Sequence, residues 1–173
     1  MSWKVSIEVR RVALVVLVLA LAVCLRFYRL GEENFWIDEV NQVEVASQSV
    51  SDILGNYHPS AERVQQGRWL LRTWEQAPLS VLITHLFMSD ESAEFHARVP
   101  SLIFGSLGVL GLFAFARLFV SFATALLAMT LLAISPLDIW YSQEARWYAQ
   151  WSFVTTLSYI ALVLAGRGRS LAP

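Results

Sequence analysis

Hydrophobic positions along the chain fall into four long blocks set apart by polar stretches. Val12 to Leu25 runs without a polar interruption, and reaches Leu30 if Arg26 and Arg29 carry their charged heads to the interface. Val99 to Ala116, Ser121 to Leu137 and Ala149 to Gly166 follow. A helix needs about 20 apolar residues to cross the hydrocarbon core of a bilayer, and each block approaches that length. The pattern predicts an all-α integral membrane protein with about four transmembrane helices, at 12–30, 99–116, 121–137 and 149–166.

The remaining long polar region, 31–98, predicts a large structured extracytoplasmic first loop. Val40, Val43, Val50, Ile53 and Leu54 recur at helical spacing, which predicts an amphipathic juxtamembrane helix. "NYHPS" reads as a turn, and "ERVQQGRWLLRTWEQ" (62–76) as a second surface segment, with Trp69 and Trp74 suited to the headgroup layer. "PLSVLITHLFM" (78–88) is apolar but short, and is expected to lie at the interface. This choice decides the topology. With 78–88 outside the bilayer core, the N-terminus, Arg117 and "GRGR" all face the cytoplasm, as the positive-inside rule prefers. The loop and "YSQEARWY" then share the outer face. The second and third spans must turn near Arg117 to Ser121, where neither Gly nor Pro marks the place.

Composition agrees with the membrane reading. Of 173 residues, 56% are hydrophobic and only 16% charged, outside the range of a soluble domain. A net charge of −1, with no basic block, argues against nucleic acid as a partner. The single Cys24 excludes an internal disulfide. The basic start and Ala20-Leu21-Ala22 resemble a cleaved signal, but the later apolar blocks favour retention of the first segment as a span.

Two polar clusters carry candidate chemistry. "FWIDEV" (35–40) follows the first span. Asp38 suits a helix N-cap, or a carboxylate held at the surface for base or metal work. Asp38 and Glu39 are adjacent, so their side chains diverge on a helix. The second cluster, "SPLDIWYSQEARWYAQW" (135–151), places Glu144 and Arg146 among aromatic residues. It reads as a polar interfacial turn with an aromatic belt, or as a binding site. On a helix Glu144 and Arg146 would not face each other, so each needs another partner. A phosphate suits the Arg146 guanidinium; a metal or a sugar hydroxyl suits Glu144. On one face, Asp38, Glu39, Glu144 and Arg146 come within reach of one another.

"FWIDEV", "AEFHARVPSLIFGSLGVLGLFAFARLF" and "LLAISPLDIWYSQEARWYAQ" resemble the N-terminal part of bacterial membrane glycosyltransferases of the protein O-mannosyltransferase and aminoarabinose-transferase superfamily, family 39-like, with the C-type fold. The resemblance runs from about Arg26 onward, and "SPLDIWYSQEARWY" is its most specific part. It implies an inverting, multi-pass enzyme of the cytoplasmic (inner) membrane, N-terminus cytoplasmic. Such an enzyme transfers a hexosyl or pentosyl group from a polyprenyl-phosphate-linked sugar at the outer face. The catalytic positions it implies are Asp38 and Glu39. The substrate-binding positions are Glu144, Arg146 and Tyr141, with Glu144 also a metal ligand if a divalent metal ion takes part. The family's His-Pro-Pro-Leu is here Gln76-Ala77-Pro78-Leu79, which removes a ligand at position 76. His85 reads as a packed polar residue. The family bundle is longer, so the chain is expected to be a fragment or half of a full enzyme, or to need a partner subunit.

Three functions are thus in play. The first is sugar transfer to a glycan, lipid or protein acceptor. The second is a non-catalytic membrane module that binds lipid-linked sugar or a partner subunit. A small transporter is the third, disfavoured because, apart from Arg26 and Arg29 near the end of the first span and Arg117 near a turn, no charge is expected within the spans.

Overall fold

The structure, a computed structural model, describes residues 2–56, 77–89 and 91–169. The surface segment 62–76, residues 57–60 of the expected turn, and Gln76 lie outside the described residues. Every regular element among the described residues is a helix: α1 (Ser2–Phe27), α2 (Ile37–Ala46), α3 (Val50–Asn56), α4 (Pro78–Phe87), α5 (Ala93–Ala116), α6 (Phe122–Ala133), α7 (Pro136–Tyr141) and α8 (Tyr148–Arg169). Two stretches, α5 and Tyr148–Gly168 of α8, are long and apolar enough to cross a membrane.

The first block forms a helix of 26 residues that stops at Phe27, short of Leu30. Tyr28 N–H still bonds the Cys24 carbonyl at 3.0 Å, but Arg29 turns left-handed with φ 61°, and the chain leaves the helix. Arg26 does not carry its head to the interface. It is fully buried among other helices. The third block is not one helix over 121–137. The 12 residues of α6 span about 18 Å, well short of a hydrocarbon core. The break has a cause: Pro136 opens α7 and holds Ser135 extended, with ψ 118°. The surface helix expected across Val40 to Leu54 is likewise two helices. Ser47 Oγ donates to the Val43 carbonyl at 2.8 Å, and Ser49 Oγ accepts from Asp52 N–H at 3.2 Å to start α3.

α5 is the central helix and packs against α1, α6 and α8. Ala22, Val109, Met129 and Ala133 form the buried core of α1, α5 and α6. Helices in lipid gain most from close packing, and small residues permit it. A Cβ on Gly105 would lie 2.0 Å from Ser142 Oγ, and one on Gly111 would lie 3.4 Å from Thr156 Cγ2. A second cluster, Val45, Ala46, Ile53 and Val81, joins α2, α3 and α4. Gln42 donates across it to Ser80 Oγ at 3.1 Å and Thr84 Oγ1 at 3.0 Å. His85 is packed, its Nδ1 2.7 Å from the Ala46 carbonyl oxygen. α4 has ten residues and spans about 15 Å, half of a hydrocarbon core.

The turn between α5 and α6 falls at Arg117 to Ser121, as the sequence predicts. Its signal is a cap: Ser121 Oγ accepts from Thr124 N–H at 3.3 Å. Arginines gather at this end of the bundle. Arg11 lies over Phe122 at 5.3 Å, and Arg167 over Phe119 at 5.7 Å. Arg117 donates to the Val120 carbonyl at 2.5 Å, and Arg167 to that of Leu118 at 2.6 Å. The start of α1, the α5–α6 turn and the end of α8 therefore meet. Both polar clusters sit at the other end.

Candidate functional site

At that other end the chain leaves α1 and wraps around one guanidinium. Arg98, in the second turn of α5, is only 5% exposed. Its Nη1 donates to the Leu30 carbonyl at 3.0 Å and the Glu33 carbonyl at 2.9 Å. Its Nη2 donates to the Asn34 carbonyl at 3.3 Å and to Glu39 Oε2 at 2.8 Å. Its Nε donates to Glu39 Oε1 at 2.9 Å. All five donors of the guanidinium fork are thereby used. The plane also lies near Phe35, 5.5 Å from the ring centre. A turn with no regular structure of its own is thus held by a residue far along the chain.

Trp36, not Asp38, is the N-cap of α2. Asp38 and Glu39 both fall in its first turn, where acidic groups suit the helix dipole. Their side chains diverge as expected: Asp38 is half-buried, while Glu39 is 1% exposed. Glu39 reaches back to Trp36 N–H at 3.4 Å. Its Oε1 also accepts from the backbone N–H of Ala145 at 2.7 Å. That bond joins the two polar clusters.

The second cluster is a non-helical turn between α7 and α8. Each neighbour of Glu144 is tied to another element. Ser142 Oγ accepts from Arg26 Nε at 3.1 Å and donates to the Asp138 carbonyl at 2.6 Å. Gln143 Nε2 donates to the carbonyls of Arg26 at 3.1 Å and Tyr28 at 2.8 Å, two acceptors that the end of α1 would leave open. Arg146 Nη1 donates to the Asp38 carbonyl at 3.2 Å, and Ser101 Oγ donates to the Arg146 carbonyl at 3.1 Å. Beneath the turn, Arg26 forms an ion pair with Asp138 and donates to the Ala22 and Ala133 carbonyls at 3.0 and 3.2 Å. A fully buried charge persists here because every direction it faces holds an acceptor.

These segments line an open cavity of about 710 Å³, walled by Tyr28, Trp36, Glu39, Arg98, Trp140 and Glu144 among others. The size suits a small organic ligand. Glu144 Oε1 accepts from the indole N–H of Trp140. Oε2 is buried and has no hydrogen-bond partner. Burial raises the Glu144 carboxyl above its ordinary value. The Trp140 bond and the Arg146 charge oppose the rise, and the charges of Glu39 and Asp38 add to it.

The expected residues thus converge, but unequally. Glu39 and Glu144 stand on the cavity wall. Asp38 and Arg146 meet through a backbone carbonyl, and neither is a wall residue. Arg146 is 8% exposed, and lies 5.7 Å from the centre of the Tyr148 ring. Tyr141 is partly exposed and lies against Tyr148, the rings tilted at 51° with centres 4.8 Å apart, off the wall. Among the described residues no group of three or more His, Cys, Asp or Glu is placed to hold a metal ion. Glu144 Oε2 offers one ligand oxygen, where a hard divalent cation takes six or more. Arg98, Arg26, Asp138 and Gln143 emerge only from the fold. Arg26 carried a usable signal, since a charge inside an apolar run needs a partner.

Compared with family models, curated proteins and solved structures, the chain has no significant match.

Proposed function

We propose that the chain acts in the transfer of a hexosyl or pentosyl group from a polyprenyl-phosphate carrier to an acceptor at the outer face of the cytoplasmic membrane. The cavity between the two polar clusters carries this reading. Its Trp36, Trp140 and Tyr28 offer flat apolar surface to a sugar ring, and Glu144 offers an oxygen to a hydroxyl. Arg29 also stands on the wall and is half-exposed beside Glu32 at 2.5 Å. It suits the carrier phosphate better than Arg146, which is turned onto the Asp38 carbonyl.

In this reading α1, α5, α8 and the α6–α7 pair cross the bilayer, and α2 to α4 lie on its outer surface. The grouping of Arg11, Arg117 and Arg167 at the opposite end supports that orientation. Glu39 serves as a positioning residue, because Arg98 and Ala145 N–H occupy its carboxylate. A carboxylate of the cavity takes the acceptor's proton, and the phosphate departs with the bonding electrons.

One observation favours a second reading, a module that binds lipid-linked sugar without reacting: the best-held carboxylate, Glu39, is not available for chemistry. The test uses the full chain in vesicles of its native membrane lipid, given undecaprenyl phosphate bearing labelled mannose, glucose or aminoarabinose. Movement of label from the carrier to an acceptor is expected. Saturable retention of the carrier without movement selects the binding module. A chain that shows neither movement of label nor saturable retention refutes both readings.

A further inference from the structure

We propose that Glu144, and not Asp38, is the carboxylate that takes the proton from the acceptor hydroxyl in this cavity. The assignment rests on the transferase reading above and deepens it.

Position comes first. A base must lie within hydrogen-bond reach of the proton it removes. Glu144 is on the cavity wall, and Asp38 is not among the residues that line it. Availability comes next. Glu144 Oε2 is buried without a partner, and the residue is only 6% exposed. A buried acceptor without a partner is costly unless something arrives to fill it. Its direction is set, because Trp140 holds the other oxygen.

The turn itself argues the same way. Ser142, Gln143, Ala145 and Arg146 are each bonded to α1, α2 or α5. Gln143 and Glu144 both stand on the cavity wall. The Gln143 amide is spent on the carbonyls of Arg26 and Tyr28, whereas Glu144 keeps a carboxylate oxygen without a partner. That is how a reacting group is held within a fraction of an ångström of its working place. The ionisable groups around it are Glu39, Asp38 and Arg146, with Arg29, Glu33 and Arg98 on the same wall. Two nearby carboxylates favour the proton-bearing form after transfer, and one arginine opposes it.

The step balances. The acceptor O–H bond breaks and its proton passes to Glu144 Oε2. The acceptor oxygen bonds the anomeric carbon as the bond from that carbon to the phosphate oxygen breaks. The electron pair leaves on the phosphate.

The same vesicle assay, with the same labelled carriers, tests the assignment on E144Q and D38N. Gln keeps the oxygen that Trp140 binds, so E144Q retains the turn. E144Q is expected to lose about 10²- to 10⁴-fold in transfer while holding the carrier. D38N is expected to lose less by at least about tenfold. Transfer in the unaltered chain should rise with pH through a midpoint above that of an ordinary glutamate, and Glu144→Asp should move that midpoint. These pH measurements decide the matter if E144Q fails to reach the membrane. Full transfer by E144Q, or a midpoint at the ordinary carboxylate value, overturns the assignment while the transferase reading stands. No transfer by the unaltered chain overturns both.

Discussion

Glu39 and Arg98 meet in a two-pronged ion pair across 59 positions of sequence, with N–O distances of 2.9 and 2.8 Å. The pair sits where three segments converge. Arg98 holds the turn after α1 by its carbonyls, and Glu39 holds the turn before α8 by the Ala145 N–H. The cavity therefore exists because of these two side chains, neither of which is free to react within it.

Removing one partner should leave a buried charge uncompensated. Arg98→Ala is expected to cost about 3–5 kcal/mol, and Glu39→Gln a similar order. Arg98→Lys should not rescue, since a point charge cannot reproduce five directed donors. Thermal unfolding in detergent, compared with the unaltered chain, measures each. A loss under about 1 kcal/mol for all three would show that the pair does not hold the site.

Gly105 marks a close approach. Any side chain there meets Ser142, with Oγ at 2.0 Å and Cβ at 2.6 Å from the added carbon. Gly105→Ala should destabilise by about 1–3 kcal/mol through overpacking. It should also push the turn that carries Glu144 away from α5. Adding Ser142→Gly removes both clashing atoms, and the double variant should recover most of the packing loss, although it gives up the Arg26 bond. Stability of the single and double variants reads this directly, and additive losses would contradict it.

Much of the bundle was legible in the hydrophobic pattern, and the reasons for the rest are physical. The α5 and α8 blocks stood out because their length and polarity suit lipid. The α5–α6 turn follows from the gap between two apolar blocks, and the Ser121 cap stands there. The hydrophobic pattern does not show the break at Ser135, because periodicity is blind to backbone. Pro136 carried the signal, but the apolar run continued through it. Arg26 was expected at the interface because a lone arginine near a helix end usually reaches out. Its partner, Asp138, lies 112 positions away, and no local pattern joins the two. Arg98 is the clearest case. On sequence it closes a polar loop, and only the fold shows that four backbone and side-chain groups point at it. The two clusters were expected to share a face, and they share a cavity. Their individual duties were not readable, because Glu39 and Asp38 differ only in which side of α2 they occupy.

Stability should depend on pH through Glu144. Its carboxyl is raised above the ordinary value, with burial as the main cause. The folded chain then keeps a proton over a range where the unfolded chain has lost it. Stability is greatest below that range and falls as pH climbs from the ordinary glutamate value to the raised one. E144Q should flatten this slope. Midpoints of unfolding across pH 4 to 8, for both chains, provide the check. A slope of the opposite sign would mean that Glu144 is stabilised as the anion.

Orientation can be read with an impermeant thiol reagent in a Cys24→Ala background. Glu33→Cys and Tyr141→Cys should react from outside the cell, since both are exposed at the cavity end. Gly166→Cys has open space around its Cβ and should react only after permeabilisation. Labelling of positions 33 and 141 from opposite sides would rule out a single outer face.

The most direct measurement is photo-crosslinking of the full chain in native lipid with a diazirine analogue of polyprenyl phosphate, followed by mapping of the adducts. The account predicts adducts at Tyr28, Trp36 and Trp140, reduced by excess unlabelled polyprenyl phosphate. Adducts confined to the lipid-facing side of α8, unaffected by competitor, would mean that the cavity does not receive the carrier.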